Sequence, residues 1–265
     1  MYIVAAYHWQ QDETVVATTI AKALNILVFE ARQKIVGGEP VVLASFADQH
    51  QATAVATKLS QNEVPAVVIN TLAVRSRNPL FRVCRFELGE QTLQIESFAG
   101  DQLSIRYDTI DLLLVATHSG GQTQTTTTVT QRKFSLGKTL LAGGVPMTKK
   151  VKNKETQTTE ERDKTLWLYS HQQEILVFDR MVMNYTGLGD ALQMTRELNF
   201  THLQKELQRL APQANYNERL LKRSEQIRIL GSCLNPETDL ELAFEVLSQS
   251  LKKKSSLPLT ISVNQ

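Results

Sequence analysis

The sequence predicts an α+β fold in which a small β-α-α-β-α-β domain precedes an antiparallel β-domain and a helical C-terminal extension. Three observations predict it. Strand and helix periodicities alternate over the first 70 residues, the hydrophobic period changes to two after residue 80, and a helical period returns near residue 195. We expect domains at 1–72, 80–212 and 213–265, with a long β-hairpin inserted at 120–163.

The composition is that of an ordinary globular protein, with 42% hydrophobic residues, 21% charged residues and a net charge of +2 over 265 residues. This balance excludes a chain that is basic throughout but can hide a local basic patch. Cys84 and Cys233 are far apart among apolar neighbours, which predicts two buried thiols. No run approaches the roughly 20 apolar residues of a membrane span, and no basic leader is present, so we expect a soluble cytoplasmic protein.

The first domain is predicted from apolar runs and helix boundary residues. A compact apolar run at residues 1–7 predicts a buried strand. Asp12 is suited to cap the first helix, and Gly37 and Gly38 end the second. After another strand Asp48 caps a third helix, and the segment AVVIN predicts a final strand.

This order of elements resembles the C-terminal domain of the ribosomal stalk protein. The segment ALNILVFEARQKIVGG is similar to the two-helix turn of that family, and DQHQATAVATKLSQNEVPAVVI is similar to its helix and edge strand. In that family lysines and glycines on the helical face contact translation factors. Here Arg32 and Lys34 are the basic groups in the corresponding helix. The resemblance therefore implies the small α/β fold and not the factor binding.

A linker around Pro79 separates this domain from a series of short strands. The segment FRVCRFELGEQTLQIESFAGDQLSIRY alternates apolar and polar residues between turns, which predicts an antiparallel meander with one wet face. DTIDLLLVATH, LWLYS, EILVFD and MVMNY predict further strands. An amphipathic helix follows, with Thr195 as its N-cap and Pro212 just beyond its end.

About seven antiparallel strands followed by one amphipathic helix resemble the pleckstrin-homology-like (PH-like) barrel. The segment LSIRYDTIDLLLVAT is similar to a strand-turn-strand passage of that family. The resemblance implies a barrel with a capping helix that binds phosphoinositides or peptides and rarely catalyses. Arg82 and Arg85 are the only basic residues in the first hairpin, so the resemblance does not imply a phosphoinositide site.

The tripeptide Gly137-Lys138-Thr139 superficially suggests a phosphate-binding loop. That motif needs a glycine where this chain has Arg132, a buried strand before it and a helix after it. A polar, threonine-rich run precedes it and Pro146 follows, so we exclude this type of site. Ser135 and Lys138 match an S-x-x-K pattern that recurs at Ser250 and lacks its partner motifs, so we expect no catalytic serine there.

Threonine-rich, polar segments on both sides predict the two extended arms of a β-hairpin with an apolar tip. Seven Lys/Arg and no acid lie between residues 132 and 154. Three alternatives are open: the tip packs back on the barrel, the hairpin contacts a protein partner or a second copy, or it meets an anionic lipid surface; nucleic acid is the weakest alternative. The predicted partner-binding residues are Arg132, Lys133, Phe134, Lys138, Leu140, Leu141, Met147, Lys149, Lys150, Lys152 and Lys154.

The C-terminal segment predicts two helices that either pack on the barrel or form a hairpin against a partner. The spacing of the five histidines does not match that of a metal site. Asp108 and Asp111 are expected to cap a turn. No nucleophile–base, metal or phosphate constellation is evident. We therefore expect a non-enzymatic binding or scaffold protein without a cofactor; the alternative is a soluble enzyme whose site assembles from distant residues.

Overall fold

A computed structural model describes residues 1–77, 80–134, 148–171 and 175–255, with side chains described outside 119–161 and 253–255. The chain divides into two compact units. One contains Met1–His118 together with the described residues from Asp163 onward, and the other lies within Ser119–Arg162.

The first unit begins with a three-stranded antiparallel sheet of order β2-β1-β3. The predicted β-α-α-β-α-β order is confirmed, and one further short helix, α4, follows it. The elements are β1 (Tyr2–Ala6), α1 (Glu13–Leu24), α2 (Val28–Ile35), β2 (Val41–Phe46), α3 (Gln49–Ser60), β3 (Ala66–Asn70) and α4 (Thr71–Arg75).

The predicted boundary residues act as expected. The Asp12 carboxylate accepts a hydrogen bond from the Thr14 backbone N–H, and Asp48 caps α3 in the same way. Gly37 has a φ of +87°, a left-handed conformation that glycine adopts without steric cost, so α2 ends there. Buried side chains of α1, α2 and α3 pack on one face of the small sheet.

The second sheet has seven strands in the order β10-β7-β8-β9-β4-β5-β6. Its strands are β4 (Phe81–Leu88), β5 (Thr92–Ser97), β6 (Gln102–Arg106), β7 (Ile110–Phe134), β8 (Thr148–Ser170), β9 (Ile175–Asp179) and β10 (Asn215–Asn217). It is not purely antiparallel as predicted, because β4 pairs with β9, and β10 with β7, in parallel. Among the described residues no pairing joins the two edge strands β6 and β10 into a closed barrel.

One predicted strand is wrong. Residues 181–185, the segment MVMNY, form a turn and an irregular stretch after β9. The Asp179 side chain accepts a hydrogen bond from the Met181 backbone N–H at 2.9 Å, and the Met183 N–H bonds to the Asp179 carbonyl oxygen at 3.2 Å. These local bonds turn the chain immediately, so strand pairing stops at Asp179.

The predicted amphipathic helix is α5 (Arg196–Leu210), and the Thr195 side chain caps it as expected. Phe200, Leu203 and Leu207 are buried on one face of the seven-stranded sheet. Two more helices, α6 (Arg223–Leu230) and α7 (Leu240–Ser255), follow β10. Of the two alternatives for these C-terminal helices, packing within the chain is the one observed.

Both sheets share a core with α6 and α7. In this core Ile3 of the small sheet, Leu112 of the large sheet and Phe244 of α7 belong to one buried cluster. Phe244 stacks on Trp167 of β8, with ring centroids 4.1 Å apart and ring planes 9° from parallel. The C-terminal helices are therefore an internal layer that joins the two sheets.

Neither cysteine forms a disulfide, and the prediction that both thiols are buried holds only in part. Cys84 is half-buried on β4. Cys233 is exposed, because it ends a 3-10 turn over Gly231–Cys233 at the surface, so the prediction of a buried thiol is wrong there.

In the described ranges no single helix is long and apolar enough to cross a membrane. Helices α1 and α2 together have the required length and apolarity, but the pair is bent by 116°.

Candidate functional site

The predicted partner-binding residues lie on or between β7 and β8, where side chains are outside the described residues. Lys138, Leu140, Leu141 and Met147 fall wholly outside them. The other positions lie at the end of β7 and the start of β8, which are neighbouring strands, so the prediction of two extended arms is confirmed. The side-chain contacts predicted for Arg132, Lys133, Phe134, Lys149, Lys150, Lys152 and Lys154 stay predictions.

A cavity of about 1100 Å³ lies in the first unit, where β8 ends. Its walls come from the beginnings of β4, β7 and β9, the end of β8, and the second half of α7. This volume is slightly above the usual range of about 300–1,000 Å³ for small-molecule sites in proteins. We call it the Tyr169 cavity, after the residue at the end of β8 that contacts α7.

The lining of the Tyr169 cavity is mixed, with both apolar and polar side chains. The apolar side chains that line it are Leu80, Phe81, Ile110, Leu112, Ile175 and Leu251. Polar side chains enter from β8 and α7, with a further group near the start of β7. A mixed lining of this kind can desolvate the body of a ligand while fixing its orientation through a few hydrogen bonds.

Most charged groups of the cavity are already paired. Arg77 donates a hydrogen bond to the Glu245 carboxylate at 2.6 Å, and Gln249 donates to its other oxygen at 3.0 Å. Burial opposes ionisation of Glu245, but these two hydrogen bonds outweigh it and hold its pKa below the usual value. Elsewhere in the lining, the His171 imidazole lies 2.9 Å from the Asp111 carboxylate.

Lys252 differs from these groups because it has no ion-pair partner. It is the one charged side chain among the described lining residues that forms no ion pair. Its Nζ atom lies 5.0 Å from the centroid of the Tyr169 ring, a cation–π distance. A weak contact of this kind leaves the ammonium group able to bind an anion.

Two buried hydroxyl groups of the cavity lack hydrogen-bond partners among the described residues. They are the Tyr169 phenol and the Ser170 hydroxyl, each on a residue that is 3% exposed. Burial raises the pKa of Tyr169, and the nearby Glu245 carboxylate raises it further. Ser248 opposes this rise, although the two oxygens do not meet hydrogen-bond geometry. The phenol is therefore a neutral donor at every physiological pH.

A second polar cluster contains His118 of β7, Asp163 of β8 and Asp179 of β9, with one potential ligand atom of each within 4.8 Å of the others. These are residue types that can bind a divalent metal ion. However, Arg180 donates to Asp163 at 2.7 Å and also contacts Glu197, so a guanidinium already supplies positive charge there. We interpret the cluster as a charge network.

The ionisation of Asp179 is consistent with this interpretation. Burial opposes the charge on Asp179, but the interaction with His118 and the hydrogen bond from the Met181 backbone N–H outweigh it, so its pKa lies below the usual value. The distance from His118 Nε2 to the Asp179 carboxylate is 3.6 Å. Asp179 is therefore ionised, and the positive charge of Arg82 also lowers its pKa.

Strand alternation explains why both polar sites belong to one face of the sheet. On β8 every second residue, Asp163, Thr165, Trp167 and Tyr169, points to the same side. Trp167 and Tyr169 belong to the core shared with α7, whereas Asp163 belongs to the charge network. The face therefore runs from the charge network, across the shared core, to the Tyr169 cavity.

Sequence reasoning missed both sites, because their residues come from segments far apart in the chain. Asp108 lies in a 3-10 turn and pairs with Arg106 at 2.6 Å, whereas Asp111 pairs with His171 across the cavity. Nothing in the spacing of Tyr169 and Lys252 signals that they meet. The chain matches no protein-family model, no curated protein and no solved structure.

Proposed function

We propose that this chain is a non-enzymatic binding or scaffold protein of the cytoplasm, and that it contacts a protein partner or a second copy through residues 132–154. One observation carries the proposal: Ser119–Arg162 is a compact unit of its own, and its sequence concentrates seven basic residues and no acid between 132 and 154. Such a segment attracts an acidic protein surface at long range, and its apolar residues then supply desolvated contact.

The relation to known folds is part of this proposal. We infer that the seven-stranded sheet with α5 is a variant of the PH-like domain, and that residues 1–72 are a domain like that of the ribosomal stalk protein. The support is the order of elements and the way α5 covers one sheet face through Phe200, Leu203 and Leu207. PH-like domains commonly bind peptides, which favours a protein partner.

An exposed apolar surface around the β9–α5 connection also supports protein binding. Met194 is 99% exposed, and four further apolar residues nearby in sequence are about half exposed. The Arg196 side chain donates to the Met181 carbonyl oxygen, which holds the two parts of this surface together. Several exposed apolar residues in one region of a chain are consistent with a protein contact site. The other residues of this surface are Met181, Val182, Leu192 and Leu198.

The enzyme alternative is less well supported by the geometry of the cavity. Ser170 and His171 are adjacent and His171 pairs with Asp111, a set of residue types that occurs in hydrolases. Ser170 is buried, however, and its hydroxyl has no hydrogen-bond partner among the described residues, so no base activates it. The His171 side chain is 72% exposed.

Deleting residues 134–151 is expected to leave the first unit folded and to abolish association with the partner. The reason is that the first unit has its own cores, whereas the deletion removes the apolar residues and three of the seven basic residues of the contact segment. Far-UV circular dichroism and urea unfolding report the fold. Affinity capture, light scattering and liposome sedimentation report association with a protein, with a second copy or with anionic lipid.

A charge-matched pair of variants separates a specific contact from general electrostatics. Lys149, Lys150 and Lys152 are replaced together by glutamine, and the control replaces three exposed lysines of the first unit, Lys22, Lys58 and Lys205. Capture lost only in the first variant supports the proposal. An unfolded deletion variant, equal capture by both triple variants, or sedimentation with anionic liposomes in place of protein capture would each contradict it.

A further inference from the structure

We propose that the Tyr169 cavity binds a small organic anion that has an apolar body, a property independent of the partner contact proposed above. The space and the apolar part of the lining suit such a molecule. A volume of about 1100 Å³ accommodates a small organic molecule, and six of the lining side chains, from β4, β7, β9, α7 and the segment before β4, are apolar. Apolar side chains stabilise a hydrocarbon or aromatic body by removing it from water.

The charge on the α7 side of the cavity favours an anion. Three charged side chains lie there, and Arg77 and Glu245 neutralise each other at 2.6 Å. Lys252 therefore brings a positive charge without an ion pair to this side, beside Tyr169. Of the other acids in the described lining, Asp108 pairs with Arg106, and the Asp111 carboxylate lies 2.9 Å from the His171 imidazole.

The end of β8 has unused hydrogen-bonding capacity. The Tyr169 phenol and the Ser170 hydroxyl are buried without partners among the described residues, a state that costs free energy in the empty protein. Ser170 directly follows Tyr169 on β8 and points to the opposite face, so the phenol is the hydroxyl on the same side as Lys252. One phenol donor and one ammonium group are together complementary to a carboxylate with its two oxygens.

Isothermal titration of the full-length protein with octanoate tests the charge requirement. Octanamide has the same hydrocarbon length without the charge, and octylamine carries the opposite charge. We expect saturable octanoate binding with one site per chain and at least about tenfold weaker binding of octanamide, because charge-assisted hydrogen bonds are stronger than neutral ones. Lys252→Met is expected to weaken octanoate about tenfold and to leave octanamide unchanged.

Tyr169→Phe gives a second signature, with a matched control. Removing an unpaired buried hydroxyl is expected not to lower the midpoint of thermal unfolding of the free protein, yet it should weaken octanoate about tenfold. Tyr107→Phe is the control, since the Tyr107 phenol is also buried without a described partner but lies outside the cavity lining. It should have the same effect on stability and none on octanoate.

The proposal is overturned if octanoate shows no saturation up to about 5 mM, an affinity too weak for a specific site. It is equally overturned if octanoate and octanamide bind alike and Lys252→Met changes neither. Equal losses of octanoate affinity in Tyr169→Phe and Tyr107→Phe would place the ligand elsewhere and would also overturn it.

Discussion

Gly187→Ala is expected to destabilise the protein by about 3 kcal/mol or more, which is a large share of the stability of a typical domain. A Cβ atom at this position would overlap the Phe86 carbonyl oxygen and lie 2.8 Å from its carbonyl carbon. Both atoms belong to the backbone of β4, so the clash cannot be relieved by a side-chain rotation. The turn that contains Gly187 would have to move away from the sheet.

Urea unfolding of the variant measures this effect, and Gly100→Ala is the control. Gly100 has a φ of +89°, but a Cβ atom added there would meet no other atom within 4 Å. Alanine at this position therefore costs only backbone strain, about 1 kcal/mol. The close approach of the turn to β4 is contradicted if Gly187→Ala costs no more than Gly100→Ala.

Phe244→Ala is expected to cost about 3–5 kcal/mol, the range for removing a fully buried aromatic side chain. Phe244 is 1% exposed and stacks on Trp167 in the core that the two sheets share with α6 and α7. The substitution leaves a cavity between α7 and β8, where the surrounding elements cannot close in without moving the helix. Chemical unfolding, followed by far-UV circular dichroism, measures the loss.

Phe98→Ala serves as the control for this substitution. Phe98 is 57% exposed, so its removal should change the free energy of unfolding by less than about 0.5 kcal/mol. Similar effects of the two substitutions would show that α7 is not a structural layer of the protein. The same result would remove the basis for the α7 wall of the Tyr169 cavity.

The sequence predicts the elements that local chemistry determines. Asp12, Asp48 and Thr195 cap their helices as expected, because a short polar side chain satisfies backbone N–H groups within three residues of itself. The prediction for residues 181–185 was wrong for a related reason: the Asp179 side chain favours a turn that apolar composition does not reveal. The parallel pairing of β4 with β9 joins segments about 95 residues apart, which no local pattern encodes.

The candidate site depends almost wholly on such distant contacts. Tyr169 and Lys252 lie at the ends of elements whose spatial meeting follows from the packing of α7 on the sheet. Hydrophobic periodicity predicted that α7 has an apolar face, but it did not specify which surface covers that face. The basic segment 132–154, in contrast, is visible in the sequence because its residues are neighbours in the chain.

We expect α6 and α7 to join both sheets into one cooperative unit, which also forms the Tyr169 cavity. The chain has two tryptophans, Trp9 packed against the core of the small sheet and Trp167 in the shared core. Urea unfolding of Trp9→Phe and Trp167→Phe therefore follows one core at a time by fluorescence, with far-UV circular dichroism recorded on the same samples. We predict that the fluorescence and dichroism curves coincide in both variants. Distinct midpoints, with the core of the small sheet unfolding separately from the rest, would contradict the claim.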